Sequence, residues 1–291
     1  MHRNLTNLII VFGLVFVITA CVCKSDRENE TQTPAPSESP SPAANKSTAP
    51  TTGSTATKKD EGDFKVSYID VTNAKYAEID RQVKKAKLIE NAAERLNRAL
   101  ILPYDIQLRT KDCGETNAFY DSNDQTVTVC YELMEHYYKV FRESGTPEDK
   151  AYEKMFDAVR FVFLHEIGHA LIDVYELPIT GNEEDAADRC SAFINLNELG
   201  EEGVRAVFAA ADAFKIESKR SGTSKRDLAD EHLLQEQRFY NSLCMIYGSN
   251  PSKYENIVTD GYLPKARADR CQTEYQRTAT SWANLLKPWR K

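Results

Sequence analysis

The chain has 291 residues, with 37 Lys and Arg against 44 Asp and Glu, a net charge of -7. That balance offers no basic face for phosphate neutralisation and excludes nucleic acid as the expected partner. Hydrophobic residues at 41% and aromatics at 10% are sufficient for a sizeable core, so the chain is not disordered as a whole.

At the N-terminus, His2 and Arg3 precede an apolar run from Leu8 to Ile18 that ends at Ala20 and Cys21. The run is too short for a membrane span, which needs about 20 apolar residues, and reads as a signal-peptide core. Ile18-Thr19-Ala20-Cys21 is similar to the bacterial lipobox, which makes Cys21 the expected lipidation site and residues 1–21 the signal peptide. The expected location is therefore the cell envelope, as a membrane-anchored lipoprotein in a bacterium, or otherwise secretion. Residues 22–63 are rich in Ser, Thr and Pro with no apolar period, and such a stretch cannot bury enough surface to offset its ordering entropy. It is expected to act as a disordered tether, leaving residues 64–291 as one folded domain, expected to be monomeric.

Within that domain, 64–70 alternates like a strand. Ile79, Val83, Ala86, Ile89, Ala93, Leu96 and Leu100 then recur at steps of three and four, which predicts one long amphipathic helix ended by Pro103. Three strand-like runs follow at 104–110, 117–121 and 125–131, separated by Gly, Asn, Asp and Ser, and 132–141 is predicted helical. Thr146-Pro147-Glu148-Asp149 reads as a helix start with Thr146 as cap, the helix running to about Tyr175. The rest is mostly helical, closing on a short helix around Trp282 and Leu285. Strands early and helices late define an α+β fold.

The chemistry is concentrated in "HEIGH" at 165–169 and the acids after Gly181. His165 and His169 lie one helical turn apart on one face, where two imidazoles can converge on one zinc ion and leave Glu166 beside an attacking water as general base. A hydrolytic zinc site needs a third protein ligand and one open position. Glu183, Glu184, Asp185 and Asp188 stand at the start of another helix, and acids there also favour the helix dipole. Glu184 and Asp188, four apart, share a face: Glu184 is the expected ligand and Asp188 the group that orients a ligand histidine. Glu183 and Asp185 point elsewhere on that helix but remain open as ligands. For the developing oxyanion the candidate is His232, steadied by Asp230, with Arg238, Tyr240 and His136 as alternatives. His232 is alternatively the third ligand, in place of Glu184.

HExxH followed on a second helix by E-x-x-x-D resembles the Glu-zincin metallopeptidases. "HEIGHALIDVYELPITGNEEDAAD", "CGETNAFYD" and "RFYNSLCMIYG" also resemble a narrower group of exported bacterial proteins classed as metallopeptidases, a similarity that extends over most of 64–291. The resemblance implies a zincin-like fold, a small mixed sheet whose edge strand packs on the HExxH helix, and zinc-dependent peptide hydrolysis with His165 and His169 as ligands and Glu166 as base. It also implies that a peptide or protein substrate pairs along the edge strand, for which Asn117 to Asp121 is the candidate. A non-catalytic binding or scaffold module with the same fold is the other reading, which the intact Glu166 disfavours. Cys113 and Cys130 bracket that strand and are expected to bridge, Cys244 and Cys271 to join the C-terminal helices, and Cys190 to stay a buried free thiol.

Overall fold

The computed structural model describes residues 58–219, 224 and 228–291. The signal peptide, Cys21 and the tether as far as residue 57 lie outside the described residues. Residues 58–63, assigned to the tether by composition, are in contact with the domain. The backbone N–H groups of Glu61 and Gly62 donate to the Leu102 carbonyl at 2.8 and 3.0 Å, and Lys291 pairs with Asp60 at 2.5 Å.

The fold is α+β, as the order of elements indicates. Four strands, β1 (Phe64–Tyr68), β2 (Ile106–Lys111), β3 (Ala118–Asp121) and β4 (Thr126–Cys130), form one mixed sheet in the order β1-β2-β4-β3. β1 and β2 run parallel, as do β2 and β4, and β3 closes the sheet antiparallel to β4 with Ala118 opposite Val129 and Asp121 opposite Thr126. β2 alternates buried and half-buried positions, whereas every residue of β4 is buried, the pattern of a strand covered on both faces. The β3–β4 turn is pinned by the Asp121 carboxylate, which accepts from the Asn123 backbone N–H at 2.9 Å.

Among the described residues the helices are α1 (Ala77–Ala86), α2 (Leu88–Ala99), α3 (Tyr131–Glu143), α4 (Glu148–Val174), α5 (Glu183–Glu198), α6 (Gly200–Ser218), α7 (Gln235–Ser249), α8 (Asn256–Thr259) and α9 (Lys265–Leu286). The long helix expected over 79–100 is two, because Lys87 takes the left-handed conformation at φ 49°. Ala86 is exposed and breaks the apolar stripe, so Ile79 and Val83 bury with one segment and Leu88, Ile89, Ala93 and Leu96 with the next. α4 starts one residue later than expected: Pro147 occupies the cap position and Thr146 makes no capping bond. The closing helix is not short, since α9 spans 22 residues and buries Ala268 and Cys271 besides Trp282.

α4 is apolar around most of its circumference because it is packed on several sides, against α3, β3, β4, α5 and α6. One core cluster joins the sheet to α1–α5, and a second joins α6, α7 and α9 around Phe161, Phe214 and Phe239. Cys113–Cys130 ties the end of β4 to the segment before β3, and Cys244–Cys271 ties α7 to α9. Cys190 is a buried free thiol on α5, its titration pushed up by burial.

Candidate metal centre

α4 and α5 cross at Gly168. A Cβ on that residue would lie 3.1 Å from the Ala187 Cα and 3.1 Å from the Cys190 Cβ, so the missing side chain sets how close the two helices come. α5 is capped by Asn182, whose side-chain oxygen accepts from the Glu184 backbone N–H at 2.7 Å, and its first turn stands against the histidines of α4.

The result is a convergence of four side chains. His165 and His169 present their Nε2 atoms 3.1 Å apart. Glu184 places Oε2 3.0 Å from His165 Nε2 and Oε1 3.5 Å from His169 Nε2. His232 Nε2 lies 2.9 Å from the same Oε2. These spacings approach the edge of roughly 3.3 Å expected between ligand atoms about 2.0–2.1 Å from a tetrahedral ion. Glu184 Oε2 is buried and accepts no well-formed hydrogen bond although two imidazole nitrogens approach it this closely. Ligand atoms of His165, His169 and Glu184 all lie within 4.8 Å of one another, close enough to share one cation.

Each imidazole is held from behind by a carboxylate. His165 Nδ1 donates to Asp188 at 2.8 Å, His169 Nδ1 to Glu183 at 2.8 Å and His232 Nδ1 to Asp230 at 3.1 Å. A carboxylate can only accept, so this arrangement puts the hydrogen of a neutral ring on Nδ1 and leaves Nε2 free to coordinate. Asp188 is fixed in turn by Arg238 on α7, which donates from Nε to Oδ2 at 2.8 Å and from Nη2 to Oδ1 at 2.7 Å, with its guanidinium over the Phe214 ring.

The electrostatics follow from this packing. Burial would lower His165, but Asp188 and Glu184 outweigh it and raise the ring to about 9. Burial would raise Glu184, and the three imidazoles hold it far below the usual carboxylate range instead. Asp188, likewise buried, is kept low by Arg238 and His165. Glu166 differs: it is 7% exposed and burial pushes its carboxyl up, opposed by His165 and His169.

Glu166 and the histidines open into a cleft of about 740 Å³. One wall is the edge strand with Asn117, Ala118, Phe119 and Tyr120, and the other is α4 with Tyr137 of α3 at one end. The Tyr120 hydroxyl donates to Asp173 at 2.8 Å and ties strand to helix. The Tyr137 hydroxyl also borders the cleft, on a residue only 6% exposed, and has no hydrogen-bond partner among the described residues.

Of the residues singled out in the sequence, His165, Glu166, His169, Glu184, Asp188 and His232 are brought together. His232 does not share a helix with Arg238 and Tyr240: it sits in the bend before α7, held there because Asn182 Nδ2 donates to the Glu231 carbonyl at 2.6 Å. Arg238 is committed to Asp188. Tyr240 does not border the cleft, and His136 pairs with Glu217 at 2.6 Å. Glu183 does not point elsewhere, since it accepts from His169, whereas Asp185 accepts from Arg189 at 2.8 Å. Glu183 and Tyr137 are the contributors that helical spacing does not reveal. The only other grouping of metal-ligand residue types among those described, Cys113, Cys130 and Glu132, is closed to thiolate chemistry by its disulfide.

These features define an α+β protein with a cluster of histidine and carboxylate side chains, of the types that ligate metals, in a cleft of about 740 Å³. A family described as "Putative metallopeptidase" matches residues 68–286, and the chain belongs to that family. No curated protein and no solved structure matches it.

Proposed function

We propose that the protein is an exported, lipid-anchored zinc metallopeptidase that cleaves peptide bonds with His165, His169 and Glu184 as zinc ligands and Glu166 as general base. The observation that carries this reading is the set of carboxylate-backed imidazoles facing Glu184, with Glu166 buried beside them. A bound zinc ion supplies Lewis acidity, polarising the peptide carbonyl and lowering the pKa of water.

The chain's own residues do the rest. Glu166, raised by burial, takes a proton from the attacking water and returns it to the departing amine. His232 in its protonated form, favoured by the Glu184 carboxylate and with Nδ1–H held by Asp230, donates from Nε2 to the developing oxyanion, and the unpartnered Tyr137 hydroxyl is a second donor. The backbone of β3, the free edge of the sheet, pairs with the extended substrate. The disulfides Cys113–Cys130 and Cys244–Cys271 suit an oxidising compartment and support export, and the proposed anchor is a lipid on Cys21 with the stretch behind it as tether.

The test is metal content of the full chain by mass spectrometry, together with hydrolysis of a peptide library. Wild type should carry one zinc, His165→Ala and Glu184→Ala should lose or weaken it, and His232→Ala should keep it. Glu166→Gln should retain zinc and lose roughly 10²–10⁴-fold in rate. A folded wild type without stoichiometric metal would overturn the proposal, and a Glu166→Gln variant with unchanged function would favour a binding module.

A further inference from the structure

Over the whole chain, cationic and acidic side chains are nearly balanced, at 37 against 44. Around the cleft they are not: Glu166, Asp173, Glu176, Glu183 and Glu184 border it, against Arg238 alone, which Asp188 already neutralises. A zinc ion would offset two of these charges and a protonated His232 a third. Glu166, Glu183 and Glu184 stand at the imidazoles, so the surplus falls on Asp173 and Glu176. Neither of these has an ion pair among the described residues, and Asp173 accepts only from the neutral Tyr120 hydroxyl, at 2.8 Å.

The helix that carries these two carboxylates does not account for them. Asp173 lies in the last turn of α4, where the negative end of the helix dipole disfavours an acid, and Glu176 follows in the left-handed conformation at φ 48°, a backbone that suits glycine. Their spacing relates them to the histidines instead. His165, His169 and Asp173 recur every four residues on one face of α4, so Asp173 stands one turn, about 5.4 Å, beyond the second histidine. The Tyr120 bond brings the edge strand to the same level. An extended peptide on that strand rises about 3.3 Å per residue, so a side chain one or two residues from the scissile bond reaches the two carboxylates. One turn before His165 the lining is uncharged, with Val162 on α4 beside Leu133 and Tyr137 of α3. That the cleft receives a ligand does not rest on its acids, because the Tyr137 hydroxyl, on a residue 6% exposed, borders it without a partner among the described residues.

We infer that the substrates are cationic peptides, with an Arg or Lys side chain near the scissile bond, on the His169 side, held by Asp173 and Glu176; this rests on the peptide-binding part of the proposed function. The experiment uses the zinc-loaded full chain carrying Glu166→Gln, so that binding is read without turnover. The probes are fluorescently labelled Ala- and Ser-based peptides with one central Arg or its neutral isostere citrulline, followed by anisotropy. The Arg peptide should bind about fivefold more tightly at roughly 0.05 M salt and lose most of that margin at roughly 0.5 M. Asp173→Asn keeps an acceptor for Tyr120, and Glu176→Gly relieves the backbone as it removes the charge, so neither loss can be put down to unfolding. Each should narrow the margin and together they should remove it, with zinc content unchanged. Equal binding of the two peptides, binding of neither, a margin insensitive to salt, or one that survives both substitutions would each overturn the inference. Equal binding alongside cleavage by wild type would overturn it and leave the peptidase reading standing. An Arg preference without cleavage by wild type would uphold it and overturn the peptidase reading alone.

Discussion

His165 has a carboxylate near each ring nitrogen, Asp188 at 2.8 Å and Glu184 at 3.0 Å, and without a metal both favour the positive charge of a protonated ring. Its folded-state value of about 9 lies above the roughly 6.5 of an unfolded chain. The stabilisation it gives the metal-free fold is therefore fully present below about pH 6.5 and is lost as pH rises through about 9. Glu184 runs the other way: held low in the fold, it stabilises above roughly pH 4.3 and that contribution is lost on acidification. The melting temperature of chelator-treated protein should thus be highest between roughly pH 5 and 6.5 and decline toward pH 9. Metal-loaded protein, which needs neutral imidazoles, should gain over that interval. Scanning calorimetry with and without chelator checks both limbs, and a metal-free melting temperature that climbs from neutral to alkaline pH would contradict the assignment. Asp188→Asn makes a separate test at the same residue. It leaves the buried Arg238 charge unpaired, a loss of about 3–5 kcal/mol, and unsettles the His165 ring, which should weaken metal binding roughly 10–100-fold. Chemical denaturation and a competitive chelator titration read the two effects apart.

At the scale of elements, the site depends on how closely α5 lies against α4, and Gly168 sets that distance. Gly168→Ala would press its methyl on Ala187 and Cys190, force α5 outward by a few tenths of an ångström, and carry Glu184 and Asp188 with it. The expected outcome is about 1–3 kcal/mol of destabilisation with reduced metal affinity, measured by denaturation and by chelator competition. An alanine variant with unchanged metal affinity would show that the helix spacing does not govern the ligands. The same elements show what was readable in the chain. His165 and His169 could be placed because their geometry is local to one helix, and Glu184 and Asp188 because ligand chemistry and a four-residue spacing select them. Glu183 was in view only as an alternative ligand and its hold on His169 was not, and Tyr137 escaped altogether, since both depend on the crossing of helices and not on any periodicity within one. The split between α1 and α2 was hidden because Ala86 counts as apolar in the pattern but faces solvent. α4 has weak periodicity because it is buried on several sides, so its identity came from the motif and its length.

For the whole molecule, the two disulfides among the described residues divide support between the proposed substrate wall and the candidate metal ligands. Cys113–Cys130 spans 17 residues that include all of β3, while His165, His169 and Glu184 lie outside that loop. Opening it releases the wall on which substrate is proposed to lie without touching the ligands. Cys244–Cys271 spans 27 residues and clamps α7, which carries Arg238 and through it Asp188 and His165. Loss of that bridge acts on the imidazole. The paired serine variants should both lose stability, by about 2–5 kcal/mol each. They should differ in function: Cys113→Ser with Cys130→Ser should raise KM at constant zinc content, and Cys244→Ser with Cys271→Ser should weaken zinc retention and lower kcat. Steady-state kinetics on a peptide substrate with metal analysis of the same samples separates the two. Identical losses in both variants would mean that the bridges serve stability alone, and that the edge strand and the metal ligands are coupled through the common core rather than supported by separate covalent ties.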